Sequence, residues 1–127
     1  MRGKFLLDAS SIYPLLNYVD SIDVSEVYIL PLTFYEVGNA VWKESYIHRR
    51  VKDPFTLSSL FQKFMEKLKV LSNPPANEVM KVAVNMGLTF YDASYVYSAK
   101  VNNLTLVSED KDLIKKANAI SFKDFIE

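Results

Sequence analysis

Apolar residues recur along this chain in two alternating rhythms. Phe5, Leu6 and Leu7 form a short apolar run closed by Asp8, and Ser10-Ser11 then precedes Ile12, Leu15, Leu16 and Val19 at helical spacing. The pattern predicts a strand over Lys4 to Leu7, a turn and a helix. Val27 to Leu30 is a second β-prone run, closed by Pro31, after which Phe34, Val37 and Val41 return to the helical interval. Leu57, Leu60, Phe61, Phe64, Met65 and Leu68 give the clearest amphipathic helix, ended by Asn73-Pro74-Pro75, and Phe61 and Phe64 are expected in the core. Val79, Val82, Ala83 and Met86 predict a further helix with Gly87 as its stop. Thr89 opens another that runs to about Asn103. Thr105 to Val107 reads as a third strand, Asp110 to Asn118 as a short helix, and Ala119 to Phe122 as a candidate fourth strand. Strands alternating with helices predict an α/β fold, a three-layer sandwich around a short, mostly parallel central sheet.

Two stretches read almost alike, LTFYE at Leu32 to Glu36 and LTFYD at Leu88 to Asp92. Their flanks diverge at once, VGNAVWKES after the first and ASYVYSAKV after the second, which argues against a duplicated unit. Each fits Thr-x-x-acid, in which Thr33 or Thr89 caps a helix and the acid sits in its first turn. Capping fixes the local role, and topology adds a second one. In a parallel α/β sheet the helices that return the chain begin at the carboxyl edge of the strands, where ligands bind. Glu36 follows the second strand, Asp92 opens the helix that leads into the third, Asp8 ends the first strand, and Asp110 lies just past Val107. Four carboxylates from distant segments are therefore expected at one edge.

Such a cluster repels itself and calls for cations. The chain has no cysteine and a single histidine, His48, which excludes thiolate chemistry, disulfides and histidine-rich metal sites. Oxygen ligands alone favour a hard ion, Mg²⁺ with Mn²⁺ as a substitute, and one or two such ions can activate water against a phosphodiester. Lys plus Arg and Asp plus Glu balance at 15 each, so any nucleic-acid contact must come from local patches. The length of 127 residues suits a single domain over positions 1–127, and half the residues are hydrophobic, as a packed globule requires. The N-terminal apolar run is too short for a signal peptide and no window suits a membrane span, so a cytoplasmic protein without membrane attachment is expected.

With these motifs in order, the chain resembles a PIN domain, and more narrowly the VapC-type toxins of toxin–antitoxin pairs. FLLDAS matches the family's first strand ending in Asp, a small residue and a hydroxyl, at Asp8 and Ser10. LTFYEVGNAV matches the glutamate of the second helix at Glu36, with Asn39 a turn on. TFYDASYVYSAK supplies the third acid, Asp92, and LTLVSEDKDL the last motif, at Ser108 and Asp110. The resemblance covers the whole chain and implies a Mg²⁺-dependent endoribonuclease that uses Asp8, Glu36, Asp92 and Asp110, forms a homodimer, and is silenced by an antitoxin protein. Ser108 stands where threonine is frequent, and SEDKD offers Glu109 and Asp112 as competing fourth acids; Asp110 is chosen with Asp112 kept open, Asp112 also suiting the first turn of its own helix.

Lys43, His48, Arg49, Arg50 and Lys52 follow the Glu36 helix and could hold RNA phosphates, a solvated loop being the plainer alternative. Lys111, Lys115 and Lys116 more simply suit a helix C-terminus. Tyr13, Tyr18, Tyr46 and Tyr95 could line a partner groove or be scattered surface tyrosines. Two other functions share this edge chemistry. A phosphoacceptor signalling domain would want an acid beside Asp8 and a lysine after the late strand, where Ala9 and Ser108 stand. A catalytically silent binding module would gain nothing from clustered repulsion.

Overall fold

The computed structural model describes residues 3–127. Strand β1 (Phe5–Leu7) lies between β2 (Val27–Ile29) and β4 (Thr105–Val107), and β3 (Lys69–Val70) flanks β2, giving the order β3-β2-β1-β4. Every pairing is parallel, with Leu6 opposite Tyr28 on one side and Leu106 on the other.

Alternation along the strands divides the apolar residues between two faces. Leu6 and Leu106 pack with Tyr95 and Ala99 of α5 (Phe90–Val101) and Leu113 of α6 (Lys111–Ala117). Phe5, Leu7, Val27, Ile29 and Val107 pack on the opposite face. There they meet Ile12 and Leu15 of α1 (Ala9–Leu15), Val37 and Val41 of α2 (Pro31–Trp42), and Phe61, Phe64 and Met65 of α3 (Pro54–Met65). Helix α4 (Ala76–Met86) reaches α5 through Val79, Ala83 and Ala93. The result is the expected three-layer α/β sandwich, and each fully buried large side chain contributes about 1.5–3 kcal/mol.

The local departures have physical causes. The first helix ends at Leu15, not beyond Val19, and Leu16–Ser21 continues as a 3₁₀ segment broken at Tyr18 (φ −127°). Pro14 inside α1 lacks the N–H that the helical ladder needs. Strand β3 has two exposed residues, too short a run to carry a periodicity. The fourth strand expected over Ala119 to Phe122 is reduced to one bridge between Val107 and Ile120. Ser121 intervenes: its hydroxyl accepts from Asp124 N at 3.1 Å and starts α7 (Phe122–Ile126).

The two LTFY stretches open their helices differently. Thr89 caps α5 as expected, its Oγ1 accepting from Asp92 N at 3.1 Å. Thr33 does not cap α2. Pro31, whose fixed φ suits a first helical position, begins that helix after Leu30, and Thr33 sits in its first turn with Oγ1 accepting from Leu30 N at 3.1 Å. Glu36 consequently stands in the second turn of α2 and Asp92 in the first turn of α5. Gly87 ends α4 at φ 65°, the left-handed conformation that glycine adopts without strain. Beyond α2 a π-helical turn, Lys43–Ile47, carries the chain toward His48.

Candidate active site

Asp8 caps α1 and is buried, at 6% exposure. Its Oδ1 accepts from Ser10 Oγ at 2.6 Å and Ser11 N at 3.2 Å, and its Oδ2 from Ser108 Oγ at 2.6 Å. Each of those hydroxyls also receives a backbone N–H from the turn after β4: Glu109 N reaches Ser10 Oγ at 2.9 Å, and Asp110 N reaches Ser108 Oγ at 2.9 Å. Ser10 and Ser108 thus tie the ends of β1 and β4 together through one carboxylate. Burial nevertheless pushes the Asp8 carboxyl above its usual range, the hydroxyls offset part of the rise, and Asp110 adds repulsion.

Glu36 is held by a buried chain of hydroxyls. Tyr95, 1% exposed, donates from its OH to Glu36 Oε1 at 2.6 Å. The Tyr95 proton being engaged, the 2.8 Å contact with Thr33 Oγ1 is a bond donated by Thr33, whose lone pair receives Leu30 N. Burial raises Glu36, the Tyr95 bond counteracts it, and Asp8 and Asp92 push it up further. Tyr95 is raised by burial and by the adjacent Glu36 charge, so it stays protonated as a donor.

Asp92 is half-buried in the first turn of α5, raised first by burial and then by Asp110, with Asp8 and Asp112 adding smaller repulsions. Asp110 caps α6, its Oδ1 accepting from Asp112 N at 2.8 Å and Leu113 N at 3.2 Å. Its charge is felt by both Asp8 and Asp92, whereas that of Asp112 reaches Asp92. Glu109 points elsewhere, its Oε1 accepting from Phe122 N at 2.9 Å.

The four acids therefore share one electrostatic neighbourhood. They do not converge on a point: among the described residues no three acidic, histidine or cysteine side chains form a ready ligand group. The donor chemistry still fits a hard divalent cation, since the candidate ligands are carboxylate oxygens and the charges acting most strongly on Asp8, Glu36 and Asp92 are those of one another and of Asp110.

A cleft of about 590 Å³ opens beside Glu36, lined also by Ser10, Tyr13, Tyr35, Asn39, Lys43 and Tyr91. Of the basic residues after α2, Lys43 lines this cleft. Arg50 instead forms a two-pronged pair with Glu44, Nε to Oε2 at 2.6 Å and Nη2 to Oε1 at 2.7 Å, while Arg49, Lys52 and His48 are exposed. Lys116 donates to Gly87 O at 3.1 Å. Tyr95 belongs to the interior and not to a partner groove, Tyr18 packs edge-on to Phe122, and Tyr46 stacks on Trp42. Sequence reasoning missed the Thr33–Tyr95–Glu36 chain; the available signal was that Tyr95 lies one turn beyond Asp92, on the helix face that turns inward.

The PIN domain family model matches residues 6–119. Exonuclease VapC9 of Pyrobaculum aerophilum is 44% identical over 118 residues, 91% of this chain and 87% of that protein. Ribonuclease VapC3 of the same organism is 31% identical over 99 residues, 75% of this chain and 74% of that one. The crystal structure of PAE2754 from Pyrobaculum aerophilum superimposes with a TM-score of 0.89 at 43% identity, covering 98% of this chain and 93% of that one. On the strength of a family match over nearly the whole chain, and of the fold that carries it, this protein belongs to the PIN domain family and to its VapC-type members.

Proposed function

We propose that this protein is a Mg²⁺-dependent endoribonuclease, the toxin of a VapBC-type pair. The observation that carries the reading is electrostatic: Asp8, Glu36 and Asp92 are all pushed above the usual carboxyl range, first by burial and further by neighbouring acids, with Asp110 acting on both Asp8 and Asp92. Asp8, Glu36, Asp92 and Asp110 would hold one or two Mg²⁺ ions, with Mn²⁺ as a substitute. The bound cation would supply the positive charge that favours attack of water on phosphorus and departure of the leaving oxygen.

The chain's own residues do the positioning. Ser10 and Ser108 fix both oxygens of Asp8, and Tyr95 fixes Glu36 by donating to its Oε1. Asn39 and Lys43 continue the cleft from Glu36 and can meet the phosphates of a strand laid across it. Both curated relatives carry nuclease names, one an exonuclease and one a ribonuclease, which supports phosphodiester hydrolysis. The family resemblance supports a homodimer, an antitoxin partner and a cytoplasmic setting.

The experiment is cleavage of a labelled single-stranded RNA pool with Mg²⁺ or EDTA, wild type beside Asp92→Asn. Cleavage by wild type with Mg²⁺ alone, and a loss above about 100-fold in the variant, is the expected result. Equal cleavage by the variant refutes the assignment of Asp92.

A further inference from the structure

The repeated stretches place a tyrosine one residue before each of two acids, Tyr35 before Glu36 and Tyr91 before Asp92. Tyr35 is 81% exposed and Tyr91 59%. They come from different helices, α2 and α5, yet both line the cleft beside Glu36, and both also line the hollow that continues it past Pro74 and Ser94. Among the described residues Tyr35 has no ring partner, and Tyr91 meets only the edge of Phe90 at 6.3 Å between centroids. Two aromatic faces thus stand unstacked next to an acidic centre, and Lys43, which has no ion pair among the described residues, lies in the same cleft. A ligand with a flat π surface within one nucleotide of an anionic group satisfies all three, and a single-stranded nucleic acid has both. A polypeptide would need a cationic segment against the acids and would leave Lys43 opposed.

Resting on the ribonuclease reading, we infer that Tyr35 and Tyr91 are the nucleobase-binding walls of the cleft, stacking the base next to the scissile phosphate of single-stranded RNA, with Lys43 on a flanking phosphate.

The test uses a short single-stranded RNA carrying 2-aminopurine, whose fluorescence is quenched on stacking, titrated with wild type, Tyr35→Ala, Tyr91→Ala and the two Tyr→Phe variants in Ca²⁺ buffer. Cleavage of the same RNA in Mg²⁺ gives KM and kcat. Quenching by wild type and the Phe variants is expected, with each Ala variant losing quenching, binding on the order of tenfold more weakly, and showing the loss in KM rather than kcat. Both positions are exposed, so melting temperatures should stay at the wild-type value. If wild type cleaves while the Ala variants quench and bind like it, the stacking walls are refuted and the nuclease stands. Loss of binding to a polypeptide partner alone gives the cleft to that partner. Wild type that neither binds nor cleaves RNA overturns the ribonuclease reading and this inference with it.

Discussion

The hydroxyl of Tyr95 is where two distant segments depend on one atom. It donates to Glu36 Oε1 at 2.6 Å while buried at 1% exposure, so Tyr95→Phe removes a short hydrogen bond to a carboxylate and leaves the Thr33 hydroxyl without its acceptor. We expect a stability loss of about 1–3 kcal/mol in urea denaturation and a Mg²⁺ requirement raised about 10- to 100-fold in cleavage assays, with KM for RNA unchanged. An unaltered Mg²⁺ titration would leave Tyr95 a packing residue only. Asp8 gives a pH-dependent prediction. Its carboxyl is raised in the folded protein, so between its ordinary value of about 4 and the folded value the native state holds a proton that the unfolded chain has lost. The stability linked to that proton is complete below the ordinary value and is lost as pH rises through the folded one. In EDTA, Asp8→Asn should therefore fall behind or match wild type in acid and gain on it toward neutrality. Parallel melting curves of the two proteins across pH would contradict this.

Helix α5 is the element that couples the acids. Its first turn presents Asp92 and the next turn Tyr95, three residues on and so on the same side of the helix, which means that the placement of this one helix sets Asp92 directly and Glu36 through Tyr95. The helix start is fixed by Thr89 Oγ1 on Asp92 N and by the left-handed turn at Gly87 just before it. Thr89→Ala should cost about 1 kcal/mol of stability, read from the urea midpoint, and should lower cleavage more than an equally destabilising change remote from the site. Equal loss in both would show that the cap supports the fold without aiming Asp92. On α2 the same residue type acts otherwise, since Pro31 starts the helix earlier and turns Thr33 into the bridge between Leu30 N and Tyr95.

For the whole molecule, the proposed binding of Mg²⁺ by the acids at the carboxyl edge would be a stability term. A ligand that binds only the native state stabilises it by about 2.7 kcal/mol at a hundred times its Kd, so Mg²⁺ should raise the melting temperature of wild type and much less that of Asp8→Asn, with EDTA reversing the gain. No Mg²⁺ response in wild type would argue against the site. The surface also exposes Trp42 and Tyr46, stacked on each other, with Phe55 83% exposed across a hollow from them. Together with the family resemblance this supports the proposed homodimer, for which light scattering at micromolar concentration should give twice the chain mass; a monomeric mass would exclude it. Among the described residues no helix is long and apolar enough to cross a membrane.

Periodicity determined the strands β1, β2 and β4, the long helices and the parallel α/β class, because strands buried on both faces and amphipathic helices impose their spacing on the sequence directly. The same topology placed Asp8, Glu36, Asp92 and Asp110 at one edge from order alone. Short or competitive elements were beyond reach: β3 has two exposed residues, and Ser121 diverts the chain into α7 after a single bridge. Only the tertiary structure decided what each side chain touches. Glu109 turned to Phe122 N, Arg50 turned to Glu44, and Tyr95 turned inward to Glu36, since these choices depend on which polar groups packing brings within hydrogen-bond reach, a matter of three-dimensional distance that one-dimensional spacing does not encode.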